Sequence, residues 1–174
     1  MVFYVLTGRK GEGKTFLVKN LANQLKKEGL KVKGLITLGQ EEKIFVSLAD
    51  NQQVSLWQDD DKLEVEIGQF KFSKRAFEFA RKIIGSISNS DVVIIDEIAW
   101  LEAEKKGLYQ GVKNYLKNSE NHKNIAIFVV RHQIVERIED LFGITISKVW
   151  TVKKGSNESI LLELKETCLR EGGL

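Results

Sequence analysis

The sequence predicts an α/β protein: a mainly parallel sheet flanked by helices, with an antiparallel β excursion at about 43–72 and a C-terminal hairpin. Three observations predict it. Apolar runs of strand length at Val2–Leu6, 91–97 and 124–130 suit strands buried on both faces. Amphipathic stretches of helical period separate them, and strands alternating with helices imply parallel pairing. Between 43 and 72 the pattern changes, because "KIFVSLAD", "QVSLWQ" and "KLEVEIGQFKF" alternate apolar with polar residues.

Taken in order, Val2–Leu6 read as the first strand. After a glycine-rich stretch, Leu17, Leu21 and Leu25 recur every four residues, with Phe16, Val18 and Ala22 nearby. This is a helical stripe, closed by Lys26, Lys27 and Gly29. "KVKGLITL" (31–38) reads as the second strand. The antiparallel excursion is punctuated by Asp50-Asn51 and by Asp59-Asp60-Asp61. The aspartate triplet lacks the spaced ligands and glycine of a calcium loop, so a solvated turn is expected. Ser73 is placed to cap a helix whose apolar face is Phe77, Ala80, Ile84 and Ile87. The most apolar strand, "DVVIIDE" (91–97), follows. A polar-rich helix is expected over 101–117, a strand over 124–130, and a helix over 132–143 with Ile134, Ile138 and Leu141 in register. "SKVWTV" and "SILLELK", on either side of "KKGSNE", suggest the final hairpin.

Composition narrows the function classes. A chain of 174 residues, 43% hydrophobic and 29% charged, suits one soluble domain spanning residues 1–174. No apolar run approaches the roughly 18 residues of a membrane span. The opening "MVFYVLTG" is too short and lacks the basic lead of a signal peptide. One cysteine, Cys168, gives neither a disulfide framework nor a cysteine metal cluster. A cytoplasmic monomer that engages no membrane is the expectation. The net charge is a mild +3, and the pairs Lys26-Lys27, Lys105-Lys106 and Lys153-Lys154 lack interleaved aromatics. They read as solvated surface rather than a nucleic-acid site.

The chain has 14 glycines and no proline, yet Gly8, Gly11 and Gly13 fall within "TGRKGEGKT". Gly8, Gly13, Lys14 and Thr15 fit the phosphate-loop pattern of Gly, four residues, Gly, Lys and Ser or Thr. Glycines let the backbone wrap closely and point successive N–H groups inward as an anion nest. The helix beginning near Lys14 turns its positive end to the phosphates. Lys14 supplies an ammonium for the β and γ oxygens, and the Thr15 hydroxyl can ligate Mg²⁺. At average usage the four fixed positions match by accident in roughly one chain of this length in a few hundred. Here the match also sits between an apolar strand and an amphipathic helix, as the mechanism demands.

"VVIIDEIAWLE" (92–102) supplies a second half. Four apolar residues ending in Asp96 resemble the metal-binding strand of phosphate-loop enzymes. Asp96 would hold Mg²⁺ through its water shell. Glu97 follows at the carboxyl end of the strand, where ligands of open α/β sheets bind, and can orient or deprotonate an attacking water. Arg131, after the strand 124–130, emerges at the same edge and could stabilise charge on the γ-phosphate or pair with a surface acid. Arg9 and Lys10 either touch phosphate or point to solvent. His132 reads as an exposed polar residue.

With both motifs in place, the chain resembles the small nucleoside-triphosphatases first known from thermophiles. The resemblance rests on "TGRKGEGKT", "GLITL", the β-rich excursion, "FKFSKRAFEFA", "DVVIIDEIAWLE" and "VVRHQIVERI", and covers most of residues 1–150 in order. That family's pattern of Asp-Glu-Ile-Gly, two residues and Glu is matched by Asp96, Glu97, Ile98 and Glu102, with Ala99 in place of glycine. The resemblance implies a divergent member, since the family's Asn-Arg-Asp ending is missing. It also implies a nucleotide site lined by Gly8, Arg9, Lys10, Gly11, Glu12, Gly13, Lys14 and Thr15, together with Ile95, Asp96, Glu97 and Glu102. The implied activity is Mg²⁺-dependent hydrolysis of nucleoside triphosphates. Two rivals share the phosphate loop: a nucleotide or polynucleotide kinase, and a nucleotide-gated binding module. The lack of arginine between Arg81 and Arg131 weighs against a kinase lid.

Overall fold

The apolar runs become the centre of a seven-stranded sheet in the computed structural model, which describes residues 1–39, 42–57, 63–67, 70–119 and 122–172. The elements run β1 (Val2–Gly8), α1 (Lys14–Lys27), β2 (Val32–Leu38), β3 (Ile44–Ser47), β4 (Gln53–Ser55), β5 (Leu63–Ile67) and β6 (Phe70–Ser73). Next come α2 (Lys74–Gly85), β7 (Val92–Ile98), α3 (Trp100–Ala103), α4 (Tyr109–Asn118) and β8 (Ile125–Arg131). A 3₁₀ helix over His132–Arg137, α5 (Ile138–Phe142), β9 (Ile146–Thr151) and α6 (Asn157–Glu171) complete the described chain.

The sheet order is β4-β3-β2-β7-β8-β1-β9. The five strands from β2 to β9 in that order pair in parallel, whereas β3 and β4 add antiparallel at one edge. Each central strand is buried on both faces because its alternate side chains feed two separate cores. Tyr4, Leu6, Ile94 and Ile127 pack with Leu17, Leu21 and Leu25 of α1 and Leu164 of α6. Val5, Ile95 and Phe128 pack on the other face with Phe77, Ala80 and Ile84 of α2, Val112 of α4 and Ile138 of α5. The Ser73 hydroxyl accepts from the Ala76 amide at 3.3 Å and caps α2, as its position before the apolar stripe predicts. Phe16 departs from the α1 stripe and is 64% exposed.

The excursion is antiparallel, but it divides: β3 and β4 extend the main sheet, while β5 and β6 pair with each other. The aspartate triplet at 59–61 lies outside the described residues.

The C-terminal hairpin is a correction. β9 pairs in parallel with β1, and the segment expected as its antiparallel mate is the helix α6. "SILLELK" supports both periods: read two by two it resembles a strand, but Ile160, Leu164 and Cys168 recur every four residues and are buried against α1. Two helix expectations also change. The 101–117 helix breaks into α3 and α4 around Lys105 and Gly107, whose φ values of 60° and 57° are left-handed. The 132–143 helix opens as a 3₁₀ turn before becoming α-helical.

Candidate functional site

Parallel pairing brings the carboxyl ends of β1, β2, β7 and β8 to one edge, where α/β sheets bind ligands. With β8 between β1 and β7, Gly8 stands opposite Arg131 in the ladder. β7 loses register with β8 between Ile95 and Ile98, and Glu97 there has a φ of 74°. An irregular step of this kind re-aims side chains at a strand end, and left-handed backbone in a non-glycine residue is a strained conformation held by its surroundings. Here it lets successive residues serve one site, with Asp96 buried at 2% exposure and Glu97 half-buried beside it.

The glycine stretch wraps around the end of β1. Lys14 folds back over it, its Nζ donating to the carbonyls of Gly8 at 2.9 Å and Arg9 at 2.8 Å. Burial lowers the Lys14 pKa, and the nearby Asp96 carboxylate opposes part of that shift. Gly13 is required where it stands. Its φ is +91°, and a Cβ there would lie 2.7 Å from Asn157 Nδ2. The start of α6 therefore packs directly beneath the loop.

Thr15 Oγ1, in the first turn of α1, donates to Asp96 Oδ2 at 2.8 Å, and the Thr37 amide donates to the same oxygen at 3.2 Å. Burial raises the Asp96 carboxyl to about 6, with Glu97 adding to the shift and Thr15 and Thr37 resisting it. A hydroxyl beside a carboxylate, both lining one cleft, is an oxygen donor pair of the kind Mg²⁺ accepts when phosphates and waters complete its shell. Among the described residues no cluster of three His, Cys, Asp or Glu could hold a metal by itself.

Glu97 Oε1 accepts from two cations, Lys43 Nζ at 2.8 Å and Arg131 Nη2 at 3.1 Å. Burial disfavours its charge, but the two cations outweigh that effect and hold its pKa below the usual carboxylate value.

Around these groups lies a cleft of about 720 Å³. Ten of the sequence-predicted residues line it: Gly8, Arg9, Lys10, Gly11, Gly13, Lys14, Thr15, Asp96, Glu97 and Arg131. His132 lines it as well and is exposed. Three predicted residues stand elsewhere. Glu12 turns back and its carboxylate accepts from the Arg9 amide. Ile95 is buried in the core on the α2 side. Glu102 is 2% exposed, with Oε2 accepting from the Ala99 amide and Oε1 from the Leu108 amide, both at 2.7 Å. It ties together the loop after β7 instead of facing the cleft.

Glu102→Ala would leave the buried Leu108 amide and the part-buried Ala99 amide without an acceptor and is expected to lower stability by about 3 kcal/mol, measured by urea denaturation. Burial raises the Glu102 carboxyl from 4.5 to about 7. The folded state then binds more protons than the unfolded state between those values. Its stabilising contribution is fully present below pH 4.5 and is lost as pH rises through about 7. Glu102→Gln should therefore flatten the fall in urea midpoint between pH 5 and 8; an unchanged slope would assign the fall to other groups.

Sequence reasoning missed Thr37 and Lys43, which also line the cleft. Thr37 carried a usable signal, a polar residue near the carboxyl end of an apolar strand. Its Oγ1 is buried with no hydrogen-bond partner among the described residues. Lys43 carried none, since "EEK" reads as ordinary surface.

A family model described as NTPase matches residues 3–163. No match is found among curated protein sequences. The solution structure of a human cancer-related nucleoside triphosphatase is similar to this chain at 24% identity, covering 98% of each chain with a TM-score of 0.73. THEP1 from the hyperthermophile Aquifex aeolicus is similar at 17% identity, covering 96% of this chain and 99% of that one, also with a TM-score of 0.73. At these identities the structural likeness speaks to the fold.

Proposed function

Since the chain belongs to the NTPase family and is a nucleoside triphosphatase, we propose that it hydrolyses several nucleoside triphosphates, Mg²⁺-dependently, to diphosphate and phosphate. The observation that carries this reading is the meeting of Lys14, the Thr15–Asp96 donor pair and Glu97 in one cleft.

The work of each residue follows from its place. Backbone amides of the glycine loop and the Lys14 ammonium take the phosphate oxygens, the ammonium leaving the carbonyls of Gly8 and Arg9. Thr15 and Asp96 would hold the metal, which when bound supplies neutralisation of charge on the β and γ oxygens. Glu97 accepts a proton from the water that attacks the terminal phosphorus. The bond between that phosphorus and the bridging oxygen breaks, and the nucleoside diphosphate departs with the electron pair. Arg131 meets the charge that gathers on the terminal oxygens.

Every group named here grips phosphate or metal, parts common to ATP, GTP, CTP and UTP. The Asn-Lys-x-Asp reader of guanine-specific phosphate-loop proteins does not occur in the sequence. Strong rejection of a wrong base requires buried polar groups that it leaves unpaired. The four nucleotides should therefore show kcat/KM values within about tenfold of one another, a spread of about 1.4 kcal/mol. Phosphate release from each, with and without a chelator and with no acceptor present, tests the whole reading. Release without an acceptor separates hydrolase from kinase. A preference for one base beyond a thousandfold, or turnover unaffected by chelation, would overturn it.

A further inference from the structure

We propose that Lys43 is a second phosphate-binding cation of this site, one that exchanges Glu97 for the terminal phosphate and so lets the cleft tell triphosphate from diphosphate. This rests on the hydrolase reading and adds to it a residue from the antiparallel ribbon.

The geometry supplies the argument. Lys43 Nζ and Arg131 Nη2 both bind Glu97 Oε1, while Oε2 accepts no hydrogen bond among the described residues. Two cations thus share one oxygen. The cleft as a whole is lined by Arg9, Lys10, Lys14, Lys43 and Arg131 together with Asp96 and Glu97, five cations and two carboxylates. The excess favours a ligand of several negative charges. A terminal phosphate offers three strong acceptor oxygens and more charge than a carboxylate, so it can outbid Glu97 for an ammonium.

Lys43 is also built to move at one end only. Its carbonyl accepts from the Leu56 amide at 2.8 Å, and β3 begins at the next residue, which pins its backbone to the sheet edge. Gly39 has a φ of +90°, and a Cβ on it would lie 2.0 Å from the Glu42 carbonyl oxygen, so the close approach of these two residues needs a glycine. From this fixed base, the four-carbon stem lets the ammonium swing between acceptors. Its side chain is only 21% exposed, so water satisfies little of its charge once Glu97 is released, and a phosphate oxygen takes that place.

The test is calorimetric binding of Mg²⁺ADP and of the Mg²⁺ complex of the non-hydrolysable β,γ-imido analogue of ATP. Lys43→Met should weaken the analogue about tenfold, the scale of one charge-assisted hydrogen bond, and leave ADP within about twofold. Lys43→Arg should keep most of the preference for the analogue, and it guards against a folding defect in the methionine variant. Glu97→Gln removes the competing charge, so it should bind the analogue about threefold more tightly or better, and the gain should vanish in the Lys43→Met, Glu97→Gln double variant. If Lys43→Met weakens both nucleotides alike or neither, Lys43 merely pairs with Glu97 and the inference is wrong. A parent protein that binds neither nucleotide overturns the hydrolase reading itself, and this inference with it.

Discussion

Lys14→Ala lowers kcat/KM for ATP by about 10³-fold or more, a loss of about 4 kcal/mol in transition-state stabilisation. The expectation comes from what surrounds the ammonium. In the structure its donors are spent on the carbonyls of Gly8 and Arg9, and burial already makes its charge costly. A group held this way is a preorganised donor, ready to pass to the β and γ oxygens with little reordering of solvent. Alanine removes the charge and leaves those carbonyls to reorganise, so the loop loses both its cation and a brace. Steady-state phosphate release measures the effect, and Lys14→Arg checks it. A longer, planar guanidinium cannot sit between the same two carbonyls as a point charge, so it should rescue little. An alanine variant that hydrolyses ATP at the parent rate with Mg²⁺ present would remove the glycine loop from the mechanism.

Some of this site can be read directly from the chain, for a physical reason. The glycine loop and Asp96-Glu97 are local patterns: a few consecutive residues carry the backbone geometry, and a strand of apolar residues guarantees that they emerge at one edge of a parallel sheet. Arg131 is readable on the same grounds, because it ends β8. Lys43 is not. It reaches Glu97 only because β3 turns back on β2 and carries it 54 positions in sequence to its partner. Nothing in its neighbours encodes that return. Glu102 shows the opposite failure, where a motif names a residue but not the direction of its side chain. Its carboxylate is consumed by the amides of Ala99 and Leu108, and it reaches the cleft only through the loop it fixes. The C-terminus misled through periodicity. Its apolar residues satisfy two periods, and contact with α1 decides for the helix. The consequence for the site is direct, since α6 begins at Asn157, against Gly13.

Glu97→Gln separates binding from turnover. Glutamine keeps the length of the side chain and an amide oxygen that can still accept from Lys43 and Arg131, so the cleft should keep its shape. It lacks the basic oxygen that takes a proton from water, and kcat should fall about 10²-fold or more, the usual scale for a general acid–base group. Affinity for the triphosphate should not fall with it. Asp96→Asn provides the contrast. Asp96 Oδ2 is the common acceptor of Thr15 and Thr37, so the amide substitution weakens the oxygen set that would hold the metal and disturbs the first turn of α1. That variant should lose Mg²⁺-nucleotide affinity as well as rate. Single-turnover phosphate release alongside equilibrium binding resolves the two patterns. Matching defects in both quantities for the two variants would mean that the carboxylates act as one unit, and the separate assignment of Glu97 to water and Asp96 to metal would have to be given up.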